Sequence, residues 1–232
     1  MSLNWSPLWL SLRVAGIATV ISLGAGIYLA YVLANRAFRG KDLLDAAVTL
    51  PLTLPPTVLG YYLLVVIGHR SPIGQAYEWL FRAPLVFTWQ AAVLASTIHA
   101  IPLLVRTARA ALLSVNHDLE RAARTLGASE WRLFWRITLP LTRRSIISAT
   151  VLAFARSLGD FGTTLMIAGD IPGRTQTASI AIYDAVESGD HLTAQVLVVV
   201  ISALTIAIVW IANRLEDRRT QIAGASTRAA HA

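Results

Sequence analysis

The sequence has no cysteine, which rules out disulfides, thiolate metal sites and cysteine nucleophiles while leaving the compartment open. Charge is scarce as well: Asp, Glu, Lys and Arg make up 14% of the 232 residues, against about 25% in soluble domains. With 55% hydrophobic residues, the chain reads as an all-α integral membrane protein. Four or five spans of about 20 residues each would take up nearly half of it, leaving room for a single transmembrane domain over 1–232 and no separate soluble one. Acidic residues are the scarcer sign, 13 against 20 Lys and Arg, for a net charge of +7. In a membrane protein that excess reflects basic residues retained on the cytoplasmic side, so no nucleic-acid partner is expected. The chain also lacks the G-x-S-x-G, H-E-x-x-H and G-x-x-x-x-G-K-[ST] patterns that would supply a nucleophile, a zinc site or a phosphate loop. Its histidines, His69, His99, His117, His191 and His231, are scattered. No metal site, no bound cofactor and no enzymatic activity are expected, and work against a gradient would need a partner or an ion.

What the chain does have is a set of apolar runs at about 12–34, 47–67, 85–105, 145–168 and 192–212. Each is long enough to cross a core of about 30 Å as a helix, which satisfies its own backbone groups. The first dozen residues lack a basic segment, so the first run reads as a retained span rather than a signal peptide. Basic residues then set the direction. Arg36, Arg39 and Lys41 follow the first run, Arg106 through Arg144 lie between the third and fourth, and Arg214, Arg218 and Arg219 follow the fifth. The opposite side holds only Arg70, Arg82 and Arg174, with Arg13 at the outer end of the first run. The N-terminus is expected outside and the C-terminus in the cytoplasm. In the outer loop before the third run, Tyr77, Trp79 and Phe81 suit an interfacial aromatic belt in contact with lipid.

Three segments break the apolar pattern. Residues 50–60 carry Pro51, Pro55 and Pro56, so the second span must kink or unwind. Such a break is either a tolerated kink or a pathway-lining hinge. Residues 153–162 carry Arg156 and Asp160 at i, i+4, one helix face, where ionisable groups turn inward and pair. Gly159 and Gly162 permit the span to end early and leave a bent outer segment. His99 and Pro102 fall near the inner end of the third run.

The third irregular segment is the most informative. Residues 116–140 are polar and basic, yet carry Trp131, Phe134 and Trp135. Asn116 can cap a first short helix with Asp118 and Glu120 in its first turn. Gly127 is a helix stop, Ser129 a second cap, and a second helix over 130–139 is expected to end at Pro140. Its aromatics share one face with Arg132 and Arg136 beside them, as a protein-docking surface or an amphipathic helix on anionic lipid would require.

The spacing of Ala122 and Ala123, then Gly127, then Ile137, Thr138, Leu139 and Pro140 resembles the "EAA" motif of binding-protein-dependent ABC importer permeases. One departure is that Arg121 stands where the motif has Glu, with Glu120 one residue earlier. The runs LPPTVLGY from Leu54, FARSLGDFG from Phe154 and IPGRTQT from Ile171 look like molybdate permease subunits in particular. The resemblance covers nearly the whole chain. It implies a type I importer fold with a cytoplasmic coupling-helix loop, a homodimer in the bacterial cytoplasmic (inner) membrane, a cytoplasmic ABC ATPase dimer holding ATP and Mg, and a periplasmic or extracellular oxyanion-binding protein. On that resemblance Glu120, Ala122, Ala123, Gly127, Glu130, Trp131, Arg132, Ile137 and Pro140 are the ATPase-coupling candidates. Pro55, Pro56, Thr57, Arg156, Asp160, Thr163 and Thr164 are the pathway or gate candidates, and Arg174 and Gln176 the binding-protein contacts. The cargo implied is molybdate, with tungstate, sulfate or thiosulfate as alternatives, and an ion-coupled secondary transporter as the competing class.

Overall fold

The computed structural model describes residues 4–229, without the side chains of His117, Ala212, Asn213 and residues 215–229. Arg218 and Arg219, counted above for topology, therefore lie outside the described side chains. The fold is all-helical. Helix α1 (Ser6–Asn35), α5 (Trp89–Leu113) and the apolar part of α11 (His191–Ala229) are each long and apolar enough to cross a bilayer. Two further pairs pass the same test jointly but are sharply bent: α2 (Lys41–Thr53) with α3 (Pro56–Ile67) at 118°, and the helix Glu130–Leu158 with α9 (Gly162–Ala168) at 59°. Short helices α4 (Pro72–Phe81), α6 (His117–Thr125) and α10 (Ala178–Glu187) fill the connections.

The core forms where small residues let helices approach. On α1 a stripe of Ser11, Ala15, Ala18, Ser22, Gly26 and Ala30 is buried, at three- and four-residue steps that keep it on one face. It packs on α5, Ala18 clustering with Ala91, Ala92 and Ala95, and Ala30 with Ala100 and Leu104. Contact there is close enough that a Cβ on Gly26 would come within 2.8 Å of Leu104 Cδ2, the small-residue packing that membrane helices use. Helix α5 is consequently the hub: 67% of its apolar window is buried, against 11% for α11, which leaves α11 with most of its apolar surface facing outward.

The helix boundaries differ from the apolar runs for local reasons. α5 begins at Trp89 rather than near Leu85, because Thr88 caps it, its hydroxyl accepting from the Ala91 N–H. It then continues to Leu113, so His99 lies near mid-helix rather than at the inner end. The run 47–67 is two helices because Leu54 and Pro55, each preceding a proline, are both extended, with ψ of 142° and 138°; the proline ring excludes the helical region for the residue before it.

Candidate docking element and helix-break site

The segment 116–140 begins as two short helices in a V. Asn116 accepts from the Asp118 N–H at 2.8 Å and starts α6. At the other end the Gly127 N–H donates to the Arg124 carbonyl and the Ala128 N–H to the Ala123 carbonyl, both at 3.0 Å. That is a Schellman closure, and it needs the positive φ of +79° found at Gly127. Ser129 caps α7 (Glu130–Leu133), accepting from the Arg132 N–H.

Helix α7 does not stop at Pro140. A π-helical stretch, Phe134–Thr138, carries it into α8 (Leu139–Leu158). The Leu139 N–H reaches back five residues to the Phe134 carbonyl, and the wider turn makes room for the Pro140 ring, which has no N–H to place. One continuous helix, Glu130–Leu158, therefore joins the basic segment to the membrane core.

Side chains lock the V. The Thr138 hydroxyl donates to Glu120 Oε1 at 3.1 Å, with the Glu120 side chain only 8% exposed. Arg124 meets Glu130 at 2.8 and 3.3 Å through two nitrogens. That pair holds the Glu130 carboxyl below its ordinary range and raises the Arg124 guanidinium, the side-chain hydrogen bond being the main cause in both. Ala123 and Leu133 fill the inside of the V. Ala122, Gly127, Arg132 and Pro140 face out, and Ile137 is half-buried. Leu126 is 88% and Trp131 73% exposed, with Trp135 stacked edge-on against Trp131. Of the coupling candidates, Glu120 and Ala123 are thus turned inward and hold the element's shape. The remainder form or border an apolar and basic surface.

At the far end of the same helix the chain breaks at Gly159. Asp160 lies in the break with its side chain 2% exposed, and three elements converge on it. His99 Nδ1 of α5 approaches Oδ1 at 2.9 Å, close enough to pair electrostatically though not aligned as a hydrogen bond. Arg156 of α8 lies 3.6 Å from the same oxygen, and the Thr164 hydroxyl of α9 donates to Oδ2 at 2.7 Å. A carboxylate at this depth requires such partners. The second broken pair packs directly alongside: the Thr163 hydroxyl donates to the Pro56 carbonyl at 3.0 Å, and a Cβ on Gly162 would come within 2.9 Å of Pro56 Cβ. The structure therefore brings Pro56, Arg156, Asp160, Thr163 and Thr164 together, while Pro55 and Thr57 are exposed beside them. Both buried threonine hydroxyls are used within the fold. His99 is the residue that sequence reasoning missed; it is 61 positions from Asp160, and no local spacing links them.

Directly after α9, on the side of the bundle away from the docking element, residues 169–177 form a tight loop. The Arg174 N–H donates to the Ile171 carbonyl at 3.0 Å across Pro172 and Gly173, the latter at φ +74°, a type II turn. The Thr175 hydroxyl accepts from the Ile171 N–H and donates to the Gly169 carbonyl. Arg174 is exposed, whereas Gln176 is buried and its amide donates to Asp184 Oδ2 at 3.3 Å. Burial pushes the neighbouring Asp170 carboxyl up, against a hydrogen bond from Gln176. Among the described residues no three His, Asp or Glu side chains converge as a metal site would need.

Comparison with known proteins matches residues 22–221 to the family described as "Binding-protein-dependent transport system inner membrane component". The molybdenum transport system permease protein ModB of Escherichia coli K12 is 44% identical over 221 residues, covering 93% of this chain and 96% of that one. A more distant relative, named a probable sulfate transport system permease protein cysT in Chlorokybus atmophyticus, is 32% identical over 89% of this chain and 72% of its own. Among solved structures, a bacterial alginate ABC transporter in complex with an alginate pentasaccharide-bound periplasmic protein superposes with a TM-score of 0.73. It covers 95% of this chain and 80% of its own at 18% identity, a likeness of fold.

Proposed function

This chain belongs to the binding-protein-dependent transport system inner membrane components, and on that premise we propose that it is the membrane-spanning subunit of an ATP-driven importer of molybdate. The observation that carries the importer reading is the docking element. Leu126 and Trp131 stand exposed on either side of Gly127, on a V whose shape is fixed by its own caps and ion pairs. A patch of this kind marks an interface. A cytoplasmic ATPase dimer is its partner, ATP and Mg are held there and not on this chain, and the V seats in a groove of that subunit. The cargo follows the relatives: the molybdenum permease stands at 44% identity and the sulfate-type permease at 32%. Tungstate and sulfate remain the alternative dianions.

The geometry then carries a mechanism. ATP binding draws the two ATPase subunits together and moves the V. The Glu130–Leu158 helix, roughly 40 Å long at 1.5 Å per residue, transmits that displacement as a rigid lever. At its far end Gly159 and Asp160 form the joint where it meets α9, and α9 is packed on α3. Two copies of the chain related by twofold symmetry would place the paired breaks around a shared route. The inner membrane is the setting, with the N-terminus outside, the V in the cytoplasm, and the loop 169–177 with Arg174 facing an oxyanion-binding protein. A permease fed in this way need not hold the dianion tightly, in keeping with a break region where Arg156 and His99 already face Asp160.

The test is co-purification and uptake in proteoliposomes holding the permease, its ATPase and its binding protein. Trp131→Ala and Gly127→Asp are expected to lose ATPase association and ATP-driven uptake while the permease itself still folds. Unchanged association would overturn the docking assignment. ATPase stimulation by sulfate-loaded but not molybdate-loaded binding protein would replace the cargo.

A further inference from the structure

At the end of the bundle opposite the docking element lies a cavity of about 330 Å³ lined by Ser6, Trp9, Leu10, Arg13, Trp89, Gly173 and Arg174. It lies where the first turns of α1, the start of α5 and the 169–177 loop meet. Two guanidinium side chains line it and no carboxylate does. Neither arginine pairs with an acid among the described residues. Both are exposed, with the Arg13 side chain and the Arg174 backbone held in place. Arg13 lies over the Trp89 ring, 4.1 Å from its centroid, and Trp89 follows the Thr88 cap directly. Arg174 stands at the end of the turn tied down by Thr175. Two like charges on one small cavity repel, and the stacking contact orients the guanidinium without neutralising it. An anion between them removes that cost, and arginine's planar fork matches tetrahedral oxyanions. The rim adds depth: Trp5 is 53% and Trp9 71% exposed, as in a belt of tryptophans at the membrane–water interface.

We propose that Arg13, Trp89 and Arg174 form a binding site for a tetrahedral oxyanion group at the outer interface, with a phospholipid phosphate or a dissolved oxyanion as its source. Only its assignment to the outer leaflet rests on the orientation given above. Binding of either ligand can be measured whether or not the transporter moves molybdate.

The measurement is native mass spectrometry of the purified permease–ATPase complex, without binding protein because Arg174 is also the candidate contact for it. The complex is titrated with phosphatidylglycerol, with phosphatidylcholine, and separately with sodium molybdate and sodium sulfate. The R13Q/R174Q complex is expected to bind its anion about tenfold more weakly, through loss of two charge-assisted contacts. Retention of phosphatidylglycerol over phosphatidylcholine, lost in that variant, identifies the lipid phosphate. Equal retention of both lipids, with molybdate or sulfate binding lost in the variant, identifies the dissolved ion. Should the double variant fail to fold, Arg174→Gln alone, on an exposed turn, carries the same comparison. Anion and lipid binding unchanged from the wild type in these variants would overturn the site.

Discussion

The helix Glu130–Leu158 ends in two differently built places. At its N-terminal end, inner in the proposed orientation, Trp131 and Leu126 face outward, and the charged groups that shape the V, Arg124 and Glu130, are themselves 44% and 59% exposed. At its outer end Asp160 and His99 are each 2% exposed, and the neighbouring helices touch through glycine. The inner end is stabilised by local caps and leaves its apolar surface exposed. The outer end turns its polar groups inward onto Asp160. A rigid link between a docking surface and a buried joint is what force transmission requires, so changes at the outer end should act on folding and changes at the inner end on association.

The sharpest test of that division is Asp160→Ala. It leaves His99 without its partner in a buried setting, and the expected loss is about 3 kcal/mol, the low end for a broken buried pair because Arg156 still reaches solvent. Thermal unfolding of the purified permease in detergent reads it. Asp160→Asn keeps an oxygen for the Thr164 hydroxyl and should lose less. An Asp160→Ala protein as stable as the wild type would mean the joint is not held by this carboxylate.

Next in size is Gly162→Ala. Its Cβ would lie 2.9 Å from Pro56 Cβ, a ring atom that cannot swing aside. Separating α9 from α3 is expected to cost about 1–3 kcal/mol, as for overpacking elsewhere, again seen in thermal unfolding and with weakened uptake. Gly127→Val is the inner counterpart and behaves differently. A Cβ there meets nothing within 4 Å, so the penalty is backbone strain alone, about 1–2 kcal/mol for forcing a side chain into the left-handed region. It falls on a segment that can open locally. Global unfolding should shift little while ATPase affinity drops, and Gly127→Asn should recover part of it. Equal shifts in global stability at Gly127 and Gly162 would erase the distinction between the two ends.

The same contrast governs what could be read from the sequence. The docking element was legible in detail because its determinants are neighbours in the chain: Asn116, Gly127 and Ser129 punctuate it, and each acts within three or four positions. The Arg156–Asp160 pair and the break after Gly159 were legible for the same reason. His99 was not, since its partner is on another helix and a histidine within an apolar run reads the same with or without one. Passage of the helix through Pro140 was also hidden. A proline normally marks a stop, and only the π-helical widening over Phe134–Thr138 lets the helix continue. The inward turn of Glu120 depends on Thr138, 18 residues on, and it gives a structural account of the carboxylate standing one place before the motif position.

The smallest expected effect lies in the Arg124–Glu130 pair. The hydrogen bond from Arg124 holds the Glu130 carboxyl below its ordinary 4.5, so in the folded V it stays ionised to lower pH than in an opened one. The stabilisation is therefore fully present above the ordinary carboxylate range and is lost as pH falls through the folded value. Arg124 stays charged throughout that window. With Glu130 59% exposed, solvent and salt screen the pair, and its worth is small. Hydrogen-exchange protection across residues 117–133, measured against the intrinsic rate at each pH, should fall modestly on acidification below about pH 4.5, the ordinary carboxyl value. The change should be weaker in high salt and absent in Glu130→Gln. Because Glu120 and Thr138 hold the V independently, the response should stay confined to this segment and leave exchange in α5 and α9 unmoved. Acid-dependent exchange reaching those helices would mean that the two ends of the lever are not separate devices, and that titration at the docking surface already works the joint at Asp160.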